Sequence, residues 1–410
     1  MSGPMRVLGL ISGTSHDGID AALVEFSFAD GVLRGAVRHA SVTPYPSAVR
    51  ARLAAALPPA TTTLSEMCQL DTLIGQAFAD VAQRVIDDSG AVDVVVSHGQ
   101  TVFHWVEDAH CRGTLQIGQP AWIAERTGAV VVSDVRIRDI TAGGHGAPLV
   151  SFLDTLLLAG LTDGDAVGAL NLGGIANMTV VRASADPYAF DIGPANALVD
   201  AVVARSGVND LGYDEGGRLA AVGSAHEGLL GVLLDDPYYA LDPPKSTGKE
   251  HFHGGYVDAA VARAGAEAGV DLALDLTLDD MVATLTELTV RTVAEAVRAA
   301  GIATVVVSGG GCRNPVMMGG LQRALPGVRL MYSDELGAPA DEKEAIAFAL
   351  IGWCTVHGLA ANEPAATGAT GRRVLGTITP GRTPLVLPEP VTTPIAALEL
   401  FLELDRTGDR

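Results

Sequence analysis

The chain has 410 residues, 48% of them hydrophobic and 18% charged, so it can bury a large core and long disordered stretches are not expected. Its length favours two domains. Lys and Arg total 27 against 48 Asp and Glu, and the net charge of −21 disfavours nucleic acid and anionic membrane as partners. The sequence shows no long apolar run and no secretory leader, so we expect a soluble, cytoplasmic protein. Four cysteines without a C-x-x-C pair predict neither a disulfide framework nor a cysteine-based zinc site.

The first stretch that points to a function runs from Gly9 to Val24. Apolar residues on both sides predict two strands joined by a tight turn. Within the turn, Gly13 and Gly18 can take positive φ angles and leave the backbone open to a bulky ligand. Exposed N–H groups would form a nest of donors suited to phosphate oxygens, together with the hydroxyls of Ser12, Thr14 and Ser15.

Two carboxylates, Asp17 and Asp20, belong to the same turn. They repel phosphate unless a divalent cation stands between them and the phosphate, so the turn predicts phosphate and Mg²⁺ together. An ordinary hairpin rich in glycine and aspartate is the alternative interpretation of this stretch taken alone. The rest of the chain has to decide between the two.

The segments that follow alternate between strands and helices. A third strand is predicted at Leu33 to Val42, and a helix at Ser65 to Asp88, which Gly90 ends. Val92 to Val96 is a short buried strand, and the polar run Ser97 to Thr101 follows it. Since open α/β sheets keep their sites at the carboxyl ends of strands, this polar run is a candidate site segment.

Two more polar segments come next. Strands at Leu115 to Ile117 and Val130 to Ser133 flank a helix from Pro120 to Gly128. The charged run Ser133 to Asp139 follows the second of these strands. The glycine cluster Ala142 to Pro148 then predicts a hinge or a ligand-facing loop.

A second hairpin repeats the pattern of the first about 160 residues later. Strands at Ala169 to Leu172 and Met178 to Val181 flank a turn that contains Gly173 and Gly174. The repetition suggests a duplicated domain whose two turns face one cleft. Because the similarity covers only a short stretch, two unrelated hairpins are the alternative interpretation.

A carboxylate stands at the end of the next predicted strand. The strand ends in the segment Phe190 to Asn196, and a helix begins at Ala197. Taken alone, Asp191 is explained by the common structural role of a carboxylate that satisfies backbone donors at a helix N-terminus. The loop Asp242 to Lys249 carries two lysines between proline and glycine residues.

A third glycine turn follows in the last third of the chain. A helix at Asp279 to Ala300 and a strand at Thr304 to Val307 lead into Gly309 to Gly311. Such a junction can admit a flat ring or a phosphate against bare backbone. A helix is predicted at Ala340 to Val356, and the tail beyond Pro380 is expected to be peripheral.

Seven motifs stand in a fixed order along the chain: Ser12 to Asp20, Ser97 to Thr101, Gln116 to Gly118, Ala142 to Leu149, Asn171 to Gly174, Asp191 to Pro194 and Pro244 to Gly248. Neither a P-loop pattern nor a G-x-G-x-x-G after the first strand is present. The set resembles the actin, sugar-kinase and Hsp70 superfamily. Within it, the chain is similar to the anhydro-N-acetylmuramic acid kinase family to about Gly376.

The resemblance implies a fold. It is of the α/β class, with two duplicated actin/sugar-kinase-like (ribonuclease H-like) domains around an interdomain ATP cleft. The first domain would comprise residues 1–150, with the C-terminal segment 377–410 as a candidate addition. The second would comprise residues 151–376.

The resemblance also implies a reaction with ATP and Mg²⁺ as cofactors. The family hydrolyses the 1,6-anhydro bond of anhydro-N-acetylmuramic acid and transfers the γ-phosphoryl group of ATP to O6, giving N-acetylmuramic acid 6-phosphate. This reaction belongs to peptidoglycan recycling. The expected partners are therefore the sugar and ATP, without nucleic acid or membrane, and a homodimer is left open.

Residue roles follow from the same resemblance. Asp191 matches the carboxylate that takes a proton from the attacking water, and Glu344 matches a glutamate that helps to orient this water. His98, Arg136 and Gly146 match positions near the sugar. The ATP-binding positions are Gly13, Thr14, Ser15, His16, Asp17, Gly18, Ile19, Asp20, Gly173, Gly174, Gly309, Gly310 and Gly311, with Asp17 and Asp20 as the metal ligands.

Two other interpretations are open on the residues alone. His98, His104, His110 and Cys111 could be imagined as zinc ligands, although their spacing fits no usual zinc pattern. The superfamily also contains ATP-dependent chaperones and filament proteins, in which hydrolysis drives domain closure and no sugar is bound. The motifs around Gln100, Gly146 and Lys245 have no evident purpose in such proteins.

Overall fold

The computed structural model describes residues 3–13, 16, 18–58, 60–107, 110–183, 185–243, 245–248, 251–340 and 342–404. The chain divides into two compact units, Met1–Gly160 with Asp334–Arg410, and Leu161–Ser333. The sequence-based expectation placed the boundary near residue 150 and assigned residues 334–376 to the second domain. Those residues lie in the first unit instead, which is built from two separate segments of the chain.

Strands of the described residues form two sheets. They are β1 (Met5–Ser12), β2 (Gly18–Ala29), β3 (Val32–Pro44), β4 (Val94–Glu107), β5 (His110–Ile117), β6 (Val130–Ser133), β7 (Ala166–Leu172), β8 (Ile175–Arg182), β9 (Ala185–Pro194), β10 (Ile302–Ser308), β11 (Arg329–Tyr332), β12 (Thr377–Thr379) and β13 (Ala397–Leu402). The sheet of the first unit has the order β12-β6-β4-β1-β2-β3-β13, with β5 paired to β4. The sheet of the second unit has the order β11-β10-β7-β8-β9.

Along the sequence, the helices are interspersed with these strands. They are α1 (Ser47–Ala56), α2 (Leu64–Ser89), α3 (Ala121–Thr127), α4 (Ile137–Ile140), α5 (Val150–Ala159), α6 (Ala197–Ser206), α7 (Arg218–Val222), α8 (Glu227–Leu234), α9 (Gly254–Ala268), α10 (Leu272–Asp275), α11 (Leu278–Ala299), α12 (Pro315–Ala324), α13 (Lys343–Val356) and α14 (Pro364–Thr367). Short 3₁₀ helices cover Glu215–Gly217, Pro237–Ala240, Gly310–Arg313 and Ser333–Leu336. The predicted helix α2 is confirmed, one residue longer at each end, and Gly90 follows it as expected. The Thr63 side chain accepts from the Glu66 N–H at its start.

Both sheets contain the same five-strand pattern. In the first, β1, β2 and β3 are antiparallel neighbours, β4 runs parallel to β1, and β6 runs parallel to β4. In the second, β7, β8 and β9 are antiparallel neighbours, β10 runs parallel to β7, and β11 runs parallel to β10. The predicted α/β class is confirmed, and the duplication is visible in the strand order.

The two predicted hairpins are present as β1–β2 and β7–β8. One detail of the first was wrong. Gly18 lies in β2 without a positive φ angle, and an added Cβ would come within 2.8 Å of the Thr43 carbonyl oxygen. Close pairing with β3 therefore requires the glycine. Among the described residues of this turn, His16 has a left-handed φ of 45°.

Strand β4 is longer than predicted. The sequence indicated a strand that ends at Val96, with polar residues after it, but β4 continues to Glu107. His98 and Gln100 therefore lie within the strand. The extension forms because β5 pairs with it over Gln100 to Glu107, a partner that no local pattern reveals.

Helix α13 lies directly against the first sheet. A Cβ built at Gly9 in β1 would come within 2.0 Å of the Ala345 carbonyl oxygen and 2.7 Å of the Ala349 nitrogen. Glycine is required there because the helix backbone occupies the space of a side chain. Glu344 lies in the first turn of this helix and is exposed, whereas the other residues of α13 are buried.

The C-terminal tail is not peripheral, contrary to expectation. Residues Ala397–Leu402 form β13, which runs parallel to β3 at the edge of the first sheet. Leu398 and Leu400 point into the core, where they join the cluster that includes Phe26 and Trp353. A tail of low complexity thus supplies a strand, because alternating apolar residues are enough once a sheet edge is available.

None of the helices in the described ranges has the length and apolar character that a bilayer crossing requires.

Candidate active site

The turn after β1 is held by a buried glutamine. The Gly18 carbonyl oxygen and Gln100 Oε1 each lie 2.7 Å from Ser12 Oγ, and these two acceptors share its single hydroxyl proton. Gln100 Nε2 donates to the Gly13 carbonyl at 3.0 Å and to the Thr101 carbonyl at 3.1 Å. Ser12 and Gln100 are completely buried. The two ends of the predicted phosphate turn are therefore fixed by one network that also includes β4.

Three of the predicted turn residues, Thr14, Ser15 and Asp17, lie outside the described residues. Among the others, the His16 N–H donates to the Gly13 carbonyl at 3.2 Å. Ile19 is buried in the core, and Asp20 pairs with Ile11 across the β1–β2 ladder. The described residues of the turn therefore join β1 to β2, as the predicted hairpin requires.

His98 and Arg136 are in direct contact in the first unit. Arg136 Nε donates to His98 Nε2 at 2.7 Å, and His98 Nδ1 lies 2.9 Å from the Gly99 carbonyl oxygen. A carbonyl can only accept, so Nδ1 carries the proton and Nε2 the lone pair, which defines a neutral tautomer. Burial and the positive charge of Arg136 hold the pKa of His98 well below the usual value of 6.5. The histidine is thus a neutral acceptor for the guanidinium.

Arg136 is oriented by a second neutral acceptor. Its Nη1 donates to the Gly146 carbonyl at 2.6 Å. Burial lowers the pKa of Arg136, although the guanidinium stays charged at any physiological pH. Among the described residues Arg136 forms no salt bridge. The sequence-predicted residues His98, Arg136 and Gly146 are therefore brought together around a cation whose hydrogen bonds, among the described residues, go to two neutral acceptors.

Asp139 organises the glycine cluster, a role that sequence reasoning missed. Its Oδ2 accepts from the Gly146 N–H at 2.8 Å, and its Oδ1 accepts from Asn362 Nδ2 and Thr367 Oγ1, both at 2.7 Å. The carboxylate is completely buried. Two of its partners are more than 220 positions away in the chain, so only the charged run around it could have drawn attention to it.

Glu344 lies close enough to Arg136 for their charges to interact. Its side chain is accessible to solvent, yet desolvation by the surrounding protein raises its pKa, and the positive charges of Arg136 and Lys343 oppose that rise. The neighbouring Lys343 is buried and forms an ion pair with Asp154 Oδ1 at 2.5 Å. Lys343 is therefore committed to the packing of α13, whereas Glu344, in the first turn, is exposed and can meet a ligand.

A polar cavity of about 420 Å³ lies beside His98 in the first unit. Its lining residues, at the ends of β4, β5 and β6, include Ser97, Gln116 and Asp134. Ser97 is 2% exposed, and its hydroxyl has no hydrogen-bond partner in the described part of the chain. Burial raises the pKa of Asp134, which has the left-handed φ of 52°. A buried polar group without a partner is costly, so this cavity is suited to a ligand with hydroxyl groups.

In the second unit, the two remaining glycine turns are adjacent. A Cβ at Gly309, which has φ 86°, would come within 2.4 Å of Asn171 Oδ1 and 2.9 Å of the Leu172 carbonyl carbon. Asn196 Nδ2 donates to the carbonyls of Leu172 and Gly173 at 3.0 and 2.8 Å. The structure therefore brings the turn after β7 together with Gly309 to Gly311, as expected for one ligand-facing surface.

Asp191 lies in β9 of the second unit and is half-buried. Its Oδ2 accepts from Ser246 Oγ and from the Thr247 N–H, both at 2.9 Å. Its backbone N–H donates to the Lys245 carbonyl at 2.9 Å, and its carbonyl accepts from Tyr238 Oη at 2.8 Å. The two donors to its carboxylate come from a loop, so the structure does not support the alternative that Asp191 merely caps a helix.

The described residues contain no group of three or more His, Cys, Asp and Glu that could hold a metal ion. Such a group is not required for Mg²⁺, which is usually bound through one or two carboxylates together with the phosphates of the substrate. Asp20 provides one carboxylate next to the turn, and Asp17 lies outside the described residues. The donor set at this turn fits Mg²⁺ in that mode.

The geometry defines an α/β protein of two units with matching sheets, each of which places glycine turns at its strand ends. A model of the family described as anhydro-N-acetylmuramic acid kinase matches residues 5–381. The chain belongs to this family.

Relatives that bear the family's name cover almost the whole chain. The anhydro-N-acetylmuramic acid kinase of Streptomyces coelicolor is 53% identical over 97% of this chain and 99% of its own length. That of Rhodococcus erythropolis is 49% identical over 92% and 94%. Among solved structures, an activator of 2-hydroxyisocaproyl-CoA dehydratase from Clostridium difficile covers 85% of this chain and 94% of its own at 11% identity, and its TM-score of 0.40 supports no further conclusion.

Proposed function

We propose that this protein is an ATP-dependent kinase that opens the 1,6-anhydro bond of anhydro-N-acetylmuramic acid and phosphorylates O6. The family match over residues 5–381 is the observation that carries this proposal. The products would be N-acetylmuramic acid 6-phosphate and ADP. A cytoplasmic role in peptidoglycan recycling follows from the chemistry of this substrate.

The base in the proposed reaction is Asp191. It takes a proton from the water that attacks C1 of the sugar, and Glu344 helps to orient this water. As the bond between C1 and O6 breaks, O6 gains the electron pair and attacks the γ-phosphorus, so phosphoryl capture replaces protonation by a general acid. Support comes from the two donors on Asp191 Oδ2, which fix the direction of the carboxylate.

The nucleotide in this proposal is held by backbone donors rather than by a P-loop. The turn from Gly13 to Asp20 in the first unit and Gly173 to Gly174 in the second are proposed for the phosphates, and Gly309 to Gly311 for the adenosine. Asp20 and Asp17 would hold Mg²⁺, which neutralises charge on the phosphates. The Ser12 and Gln100 network supports this assignment, because it fixes the turn before any ligand arrives.

The sugar in this proposal binds on the first unit. His98 lies at the edge of a polar cavity that contains the Ser97 hydroxyl, which has no hydrogen-bond partner among the described residues. Sugar hydroxyls can satisfy such groups. Arg136 contacts His98 and the Gly146 carbonyl beside it. Arg136, which is held only by neutral acceptors in the described structure, keeps its charge available for an anionic group of a ligand.

Mass spectrometry of the products from anhydro-N-acetylmuramic acid, ATP and Mg²⁺ tests the proposal. We expect a mass gain of one water and one phosphoryl group on the sugar. Reactions without ATP, and with Asp191→Asn, serve as controls. A sugar that is recovered unchanged while ATP is hydrolysed would favour the chaperone or filament class of the superfamily instead.

A further inference from the structure

We infer that Tyr238, Lys245 and Ser246 are positioning residues for the Asp191 carboxylate, and that Lys245 acts as a structural support rather than as a phosphate ligand. This inference rests on the proposed function, in which Asp191 is the base. The three residues and Asp191 all belong to the second unit. We call them the Asp191 clamp.

The clamp acts on both the backbone and the side chain of Asp191. Tyr238 Oη donates to the Asp191 carbonyl at 2.8 Å, and the Lys245 carbonyl accepts from the Asp191 N–H at 2.9 Å. Ser246 Oγ and the Thr247 N–H donate to Oδ2 at 2.9 Å. Peptide and carboxylate are thus fixed by one short loop and one tyrosine. Since a carboxylate that is misplaced by an ångström loses much of its catalytic effect, these contacts bear on rate.

Lys245 ties the loop to the tyrosine. Its Nζ donates to the carbonyls of Tyr238 and Tyr239 at 3.2 and 3.3 Å and lies 4.8 Å from the centre of the Tyr238 ring. Burial lowers the pKa of the Lys245 ammonium group. The ammonium group already contacts two carbonyl oxygens and the face of the Tyr238 ring. It therefore holds the loop against the 3₁₀ helix Pro237–Ala240, which carries Tyr238.

Tyr238 is itself fixed by an aromatic cluster. Its ring makes edge contacts with Tyr239 and Phe252, and Phe252 is completely buried. His251 Nε2 pairs with Asp236 Oδ2 at 3.0 Å, and Asp236 Oδ1 accepts from the Tyr238 N–H at 2.8 Å. The tyrosine therefore has little freedom, and the position of its hydroxyl is set by packing.

The test uses three variants, Tyr238→Phe, Lys245→Met and Ser246→Ala, with two matched controls. Tyr213→Phe removes a hydroxyl from an exposed tyrosine of the second unit that lies outside this aromatic cluster. Ser206→Ala removes a serine hydroxyl that donates to the Val203 carbonyl at the end of α6. We measure kcat and KM for the sugar and for ATP, and thermal unfolding as a check on folding.

We expect kcat to fall about 10-fold in Tyr238→Phe and Lys245→Met, with KM for ATP unchanged. The support of a reacting group loses one hydrogen bond in the first variant and two longer ones in the second. Ser246 is exposed, so Ser246→Ala should lose only about 3-fold, and Ser246→Thr should restore the rate. Both controls should keep the wild-type kcat. An increase in KM for ATP in Lys245→Met at unchanged kcat would make Lys245 a phosphate ligand and overturn the inference.

A second measurement does not depend on turnover. Hydrogen exchange of the Asp191 amide, which donates to the Lys245 carbonyl, should accelerate in Tyr238→Phe and Lys245→Met and stay unchanged in Tyr213→Phe. Equal exchange in all variants, with an active wild-type enzyme, would overturn the clamp. An inactive wild-type enzyme with the expected exchange pattern would instead overturn the proposed function and leave the clamp supported as a structural element.

Discussion

Arg136 Nε donates to His98 Nε2 at 2.7 Å, and this histidine nitrogen must be unprotonated to accept the hydrogen bond. The contact makes the arrangement of the first unit's site dependent on the protonation state of one imidazole. Protonation would place a second N–H and a positive charge against the guanidinium, and the bond would be replaced by repulsion.

This contact predicts a loss of stability in acid. The pKa of His98 is lowered in the folded protein, so below pH 6.5 the unfolded chain takes up a proton that the folded chain does not. The unfolding free energy should therefore fall as the pH drops below 6.5, by at most about 1.4 kcal/mol per pH unit from this group. Urea unfolding at several pH values measures it, and His98→Gln, which keeps an acceptor but cannot titrate, should show a smaller slope. An identical slope in both proteins would contradict the assignment.

The replacement Asp191→Asn should abolish ring opening and phosphorylation together. Ser246 and Thr247 both donate, so the amide should turn its oxygen toward them and present its NH₂ group, which is no base, in the other direction. We expect kcat to fall about 10²- to 10⁴-fold with little change in nucleotide affinity. Product analysis and calorimetry with ATP measure the two effects. Near-normal formation of the phosphorylated sugar would make Glu344 the next candidate for the base.

The buried glutamine of β4 should affect nucleotide binding more than sugar binding. Gln100→Ala removes one of the two acceptors near Ser12 Oγ and the donor to the Gly13 carbonyl at once, so the turn loses part of its support. We expect a higher KM for ATP and a loss of about 1–3 kcal/mol in unfolding free energy. Gln83→Ala, on the exposed face of α2, is the control and should change neither quantity. A variant that loses stability but keeps its KM for ATP would show that the network serves the sheet alone.

A single added methyl group should displace α13. In Gly9→Ala the new Cβ would meet the Ala345 carbonyl oxygen at 2.0 Å, so the helix that carries Glu344 has to move. We expect a loss of about 1–3 kcal/mol in unfolding free energy, together with lower activity. Gly113→Ala, in β5, meets its nearest side-chain atom at 3.8 Å and should change stability by less than about 0.5 kcal/mol. Calorimetric unfolding of both variants makes the comparison.

The local elements could be predicted because their causes are local. Each hairpin has a turn rich in glycine between apolar strands, and α2 shows helical periodicity between Thr63 and Gly90. The length of β4 and the role of the tail were missed because they depend on pairing with distant partners, as in the contact of β13 with β3. Asp139 was missed for the same reason, since Asn362 and Thr367 define its role only after folding.

The position of the edge strand β13 near the C-terminus affects how the protein can fold during its synthesis. Residues 161–333 form a continuous segment and leave the ribosome before residues 334–402, which provide α13 and β13 of the first unit. The second unit can therefore complete its sheet during translation, whereas the earlier-made β1, β2 and β3 must wait for their last neighbour. During this interval β3 has an unpaired edge, which makes the nascent chain, rather than the finished protein, the form most exposed to strand-mediated aggregation.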